Sequence, residues 1–77
     1  MINFILMKTG EIGLFIARRR KELGVNQREL ADLCGVSEHA LCNLERGLGN
    51  PTLKLVTAVA EALGIELNLR AKEMESA

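Results

Sequence analysis

The single histidine, His39, and the two cysteines, Cys34 and Cys42, have the widest chemical reach in this 77-residue chain. His39 and Cys42 form a His-x-x-Cys pair, with Cys34 upstream of both. A closed metal site needs a fourth ligand and would distort the surrounding helices, so no metal is read here. Cys34 falls at an inward position and reads as a small core hydrophobe. Cys42 reads as partly exposed, and nothing beside it supports a redox role. Two cysteines without a secretory leader make no disulfide framework. With one histidine, no serine nucleophile motif and no phosphate-binding glycine pattern, the chain reads as a non-enzyme without cofactors. What remains is hydrogen-bonding chemistry. Glu38, His39, Cys42 and Asn43 fall on one face of a short helix, where their donors and acceptors meet a polar partner.

The elements that must present this face follow from punctuation residues. Apolar Ile12, Phe15, Ile16 and Leu23, with Ala17 beside them, predict a first helix over residues 11–23, ended by Gly24. Asn26 reads as an N-cap with Glu29 in capping-box position, opening a second helix to about Cys34 that turns Leu30, Leu33 and Cys34 inward. Gly35-Val36 is a tight turn. Ser37 caps a third helix through Leu41 and Leu44 to Arg46. Thr52 caps a fourth, roughly residues 53–63, which buries Val56, Val59, Ala60 and Leu63 before Gly64. Then the period changes: Ile65, Leu67 and Leu69 alternate with polar residues, a strand pattern. A lone strand leaves its backbone unpaired, so it needs either residues 3–7 or a copy of itself from another chain.

Composition bounds the function. Apolar residues make up 48% and charged residues 26%, as in a globular domain. Aromatics stand at 3%, which excludes the stacking platforms that single-stranded nucleic acids require. The apolar opening, residues 1–7, is far shorter than the ~20 residues of a membrane span. A soluble, cytoplasmic protein without membrane attachment is expected, with translation starting at Met1 or Met7. A core this small stabilises a monomer by only ~3–5 kcal/mol, which favours oligomers.

The informative unit is residues 27–46. Ala31 is small where two helices cross, Gly35 supplies a left-handed turn, and Val36, Leu41 and Leu44 bury the inner face of the following helix. Its outer face stays free, and a helix presented this way fits the major groove of B-DNA. The motifs Gly24-Val25-Asn26-Gln27-Arg28-Glu29-Leu30-Ala31, Cys34-Gly35-Val36-Ser37 and Leu41-Cys42-Asn43-Leu44-Glu45-Arg46-Gly47 resemble the phage-repressor-type, lambda-repressor-like helix-turn-helix family. Pro51-Thr52-Leu53 and Ala62-Leu63-Gly64-Ile65 fit the same pattern, so the resemblance spans residues 11–64. It implies an all-α bundle of four to five short helices with a helix-turn-helix. Residues 1–10 form a preceding segment and residues 65–77 a short β-strand and frayed tail. The ending Leu63-Gly64-Ile65-Glu66-Leu67-Asn68-Leu69 is similar to that of HipB-type regulators. In that subgroup the strand pairs across a homodimer, and the protein is an antitoxin that represses its own operon and binds a HipA-like kinase toxin.

The resemblance implies roles for individual residues. Glu38, His39 and Asn43, with Gln27 from the preceding helix, are expected to contact bases of a double-stranded DNA operator. Asn and Gln pair bidentately with adenine, and Glu accepts from cytosine N4. The plain alternative is a solvated helix surface, and Glu38 in particular is repelled by phosphates. Asn26, Arg28, Ser37, Arg46 and Asn50 are expected at the DNA backbone, aided by two helix N-termini; for Asn26 and Ser37 capping alone is the alternative. Arg20 and Glu45 stand where the family places an ion pair between first and third helices, rather than two independent surface charges. The run from Arg18 to Lys21 reads equally as solvated face, phosphate contact or partner surface. The competing function is a protein-interaction module that keeps this fold without binding DNA.

Net charge is zero, ten basic against ten acidic residues. It is segregated: residues 1–25 carry +3, residues 26–50 carry −2 and residues 51–77 carry −1. The balance therefore does not exclude DNA, although it predicts weak non-specific binding.

Overall fold

The computed structural model describes residues 9–68, which fold into four helices. They are α1 (Thr9–Glu22), α2 (Gln27–Cys34), α3 (Glu38–Arg46) and α4 (Leu53–Ala62). The chain is all-α across this range, and α1 starts two residues before the predicted boundary at residue 11. Most of residues 1–10, and the tail from Leu69 onward, lie outside the described residues.

Side chains define the helix starts. Asn26 accepts from the Glu29 amide at 2.8 Å while Glu29 Oε1 accepts from the Asn26 amide at 2.9 Å, a reciprocal capping box. Ser37 Oγ and Thr52 Oγ1 cap α3 and α4, each accepting a backbone N–H at 3.0 Å. The ends share a different device. After each helix a left-handed glycine reverses the chain, and the next residue donates to the carbonyl five positions back. These bonds are Val25 to Arg20, Val36 to Ala31, Leu48 to Asn43 and Ile65 to Ala60. Val25, Val36 and Ile65 then pack their side chains against the core.

That core is Ile16 from α1, Leu30 and Ala31 from α2, Leu41 and Leu44 from α3, and Val59 and Leu63 from the last helix and its cap. Two leucines expected inside are outside: Leu33 is 72% exposed and Leu23 46%. The α2 stripe is centred between Leu30, Ala31 and Cys34, and helical geometry puts Leu33 roughly 110° away from that centre. Leu23 follows the last residue of α1, where the chain is already turning.

The expected strand at 65–69 is absent among the described residues. Residues 65–68 have no ladder, and Leu69 lies outside the range. The cause is local. Ile65 spends its amide on the Ala60 carbonyl at 2.8 Å and its side chain on the core, so the first residue of the alternating pattern serves as the cap of α4. Among the described residues there is also no neighbouring edge for residues 66–68 to pair with.

Gly13, which no periodicity argument singles out, is where α1 meets α3. A Cβ built there would come within 2.7 Å of the Glu45 carbonyl oxygen and would also clash with that of Leu44. The backbone of α1 thus rests directly on the last turn of α3. Glycine inside a helix ordinarily costs about 0.5–1 kcal/mol relative to alanine, but here the sign reverses. Gly13→Ala should destabilise the fold by about 1–3 kcal/mol in urea unfolding, as overpacking does. Gly10→Ala, whose added carbon meets nothing within 4 Å, should leave stability equal or higher.

Candidate nucleic-acid interface

Beside Gly13 the same helices are joined by a buried charge pair. Arg20 Nε donates to Glu45 Oε2 at 2.7 Å and its second terminal nitrogen to Oε1 at 3.0 Å, a fork meeting a carboxylate edge-on. Residue exposure is 9% for Arg20 and 7% for Glu45. The remaining guanidinium nitrogen donates to the Val25 carbonyl at 2.9 Å, in the turn between α1 and α2. The hydrogen bond to Glu45 raises the Arg20 pKa above its ordinary value, with burial opposing and the opposite charge adding. Gln27, the first residue of α2, donates from Nε2 to Glu45 Oε1 at 3.0 Å. One carboxylate therefore gathers α1 and α2 onto α3, and no buried side-chain polar atom among the described residues lacks a partner.

This network fixes α3 with its inner face, Leu41 and Leu44, against the core and its other face outward. Glu38, His39 and Arg46 are exposed and Asn43 half-exposed on that helix, while Asn50 is exposed in the loop after it. Asn26 and Arg28 are exposed at the start of α2, and Ser37 at the start of α3. Half-buried Gln27 has one amide N–H already committed to Glu45, leaving its second N–H and its carbonyl for any other partner. Asn26 and Ser37 use their side-chain oxygens for capping, which leaves the other first-turn amides free to face an anion. Along α3, Asn43 Nδ2 lies 3.2 Å from His39 Nε2. The four-residue spacing announces that contact in the sequence. Nothing local announces Gln27 to Glu45, eighteen positions apart.

The basic run divides. Arg20 is internal, and Arg19 donates to the Leu63 carbonyl at 3.1 Å, capping the end of α4, with Glu22 at 3.5 Å. Arg18 and Lys21 remain at the surface, lining a shallow hollow with Leu14 and Ala17. Cys34 Sγ lies 3.8 Å from the Ala58 carbonyl, and burial pushes its thiol pKa up. Among the described residues no group of three or more His, Cys, Asp or Glu side chains could hold a metal ion. None of their helices is long and apolar enough to cross a membrane.

The profile of the helix-turn-helix family matches residues 16–69. An HTH-type transcriptional regulator of Methanothermobacter thermautotrophicus is 45% identical over 51 residues, covering 66% of this chain and 74% of that protein. The immunity repressor protein of Bacillus phage phi105 is 39% identical over 57 residues, covering 74% of this chain and 40% of the repressor. Among solved structures, a HipB variant in complex with an O2 20mer matches with a TM-score of 0.77. That match covers 88% of this chain and 94% of the other at 20% identity, a likeness of fold.

Breaking the buried pair should be costly. Arg20→Ala or Glu45→Ala should each destabilise by about 3–5 kcal/mol, because each strands a buried charge. Replacing both together, Arg20→Met with Glu45→Leu, should cost less than either single change. A double variant as unstable as the sum of the singles would show that the two charges act separately. At Cys34 the raised pKa means less thiolate at neutral pH, so iodoacetamide should label it more slowly in the folded protein than in urea.

Proposed function

We infer the function from one premise: the chain belongs to the helix-turn-helix family, with the lambda-repressor-like arrangement of its helices. It is a transcriptional regulator of that family. We propose that it is a sequence-specific repressor that binds double-stranded DNA as a homodimer in the cytoplasm. The observation that carries this reading is the outer face of α3. Glu38, His39 and Asn43 stand on a nine-residue helix whose opposite face is buried and whose last turn is clamped by Arg20. A rigid helix with free polar side chains is what major-groove readout requires. Glu38, Asn43 and the uncommitted groups of Gln27 then contact bases, with His39 beside Asn43 on the same face. Asn26, Arg28, Ser37, Arg46 and Asn50 hold the sugar-phosphate backbone. The likeness to a phage immunity repressor supports repression.

The finer proposal is a HipB-like antitoxin that represses its own operon and binds a HipA-like kinase toxin, supported by the likeness of fold to HipB. In it, Leu67 and Leu69 pair with their copies across the two-fold axis, continuing outward from Ile65 in its cap. A two-fold dimer sets its recognition helices about 34–36 Å apart, one turn of B-DNA.

Two measurements test this. Arg28 and Arg46 from both protomers would neutralise four phosphates, so log K against log salt should fall with a slope of about −3 to −4. The probe is duplex DNA from upstream of the chain's own gene. A flat salt response, or no protection in footprinting, would instead favour the protein-interaction module, for which exposed Glu38 speaks. Ending the chain at Glu66 keeps Ile65 in its cap and should convert the dimer to a monomer by mass in solution. An unchanged dimer would sink the strand.

A further inference from the structure

His39 and Asn43 are coupled to each other before any partner arrives. Asn43 Nδ2 is 3.2 Å from His39 Nε2, with both groups on the outer side of α3. An amide nitrogen carries two hydrogens and accepts nothing, so Asn43 donates and His39 Nε2 accepts. An Nε2 that accepts belongs to an imidazole tautomer with its hydrogen on Nδ1. The terminal torsion of asparagine is broad and nearly two-fold, so the side chain has little intrinsic preference for which edge it turns outward. The bond to His39 supplies that preference.

We propose that His39 is a positioning residue for Asn43 and, through it, a determinant of base specificity. By taking one amide hydrogen, His39 fixes the rotation of the carboxamide. With the hydrogen trans to Oδ1 taken by His39, the cis N–H and Oδ1 are left side by side, the donor and acceptor that match adenine N7 and N6 in the major groove. Fixing the rotor in advance also removes part of the ordering cost of binding. The proposal rests on the reading of α3 as the DNA-contacting helix. It assigns His39 a role distinct from touching a base itself.

The experiment is selection of preferred duplexes from a random DNA library by the wild-type protein, then affinities for every single base-pair change in the preferred site. Asn43→Ala should abolish preference at one position. His39→Ala should relax preference at that same position by about tenfold or more, and the double variant should be no worse there than Asn43→Ala. His39→Gln, whose side-chain carbonyl can accept the same hydrogen, should retain most of the discrimination. In the free protein, nitrogen NMR should find His39 protonated at Nδ1 and bare at Nε2.

Relaxation at a different base pair would make His39 a reader in its own right and overturn the proposal, as would the Nε2-protonated form or no effect of His39→Ala. If Asn43→Ala leaves every preference intact while DNA is still bound, the reading of α3 fails and the proposal fails with it. Both side chains are solvent-accessible and outside the core, so melting temperatures close to wild type are expected.

Discussion

The geometry of the molecule turns on a carboxylate held out of water. Glu45 is tolerable inside only because Arg20 meets both of its oxygens and Gln27 adds a third donor. Two desolvated charges are a weak source of net stability, since an apolar pair of similar volume often does as well. What they contribute is direction. A guanidinium fork meets a carboxylate in few orientations, and its remaining nitrogen is bound to the carbonyl of Val25. Rotating α3 about its axis breaks several hydrogen bonds at once, where sliding leucines past one another would break none. Gly13 completes the joint by letting the α1 backbone rest on the carbonyls beneath that carboxylate. Apolar packing brings the helices together, and the polar joint determines the angle at which they meet.

Most of this fold is visible in single residues because its boundaries are built locally. Asn26, Ser37 and Thr52 cap helices within three positions of themselves, and each glycine end closes over five. Such signals survive reading without any tertiary information. The failures share the opposite character. Leu33 reads as inward alongside Leu30 and Cys34, but a two-turn helix touching its neighbours along one stripe has no inside at that angle. The alternation at Ile65, Leu67 and Leu69 describes a strand only if a second edge exists, and within one chain Ile65 has a nearer use. Gln27 is the clearest case at the candidate site. Its type suits a base edge, while its actual bond runs to a residue eighteen positions away that only the folded chain brings near.

Charge reads differently once partners are known. The +3 excess of residues 1–25 looks like a basic surface on the first helix. In the fold, Arg20 is neutralised internally and half-exposed Arg19 is engaged by the carbonyl end of α4 and by Glu22, which leaves Arg18 and Lys21 as the exposed cations of that run. The first helix is therefore chiefly a structural clamp. The long-range field of the folded domain is weak, and attraction to a polyanion must come from close contacts instead of steering at a distance.

The two faces of α3 also answer to different demands over evolutionary time. Ser37, Leu41, Leu44, Glu45 and Gly47 maintain cap, core, joint and helix end, so a change at any of them is felt by the whole domain. Glu38 and His39 take no part in that work. Substitutions there are nearly free of folding consequences, so lineages can explore new outward-facing chemistry without first acquiring compensating stability. A scaffold divided in this way is robust where it is buried and innovative where it is exposed, within a single helix of nine residues.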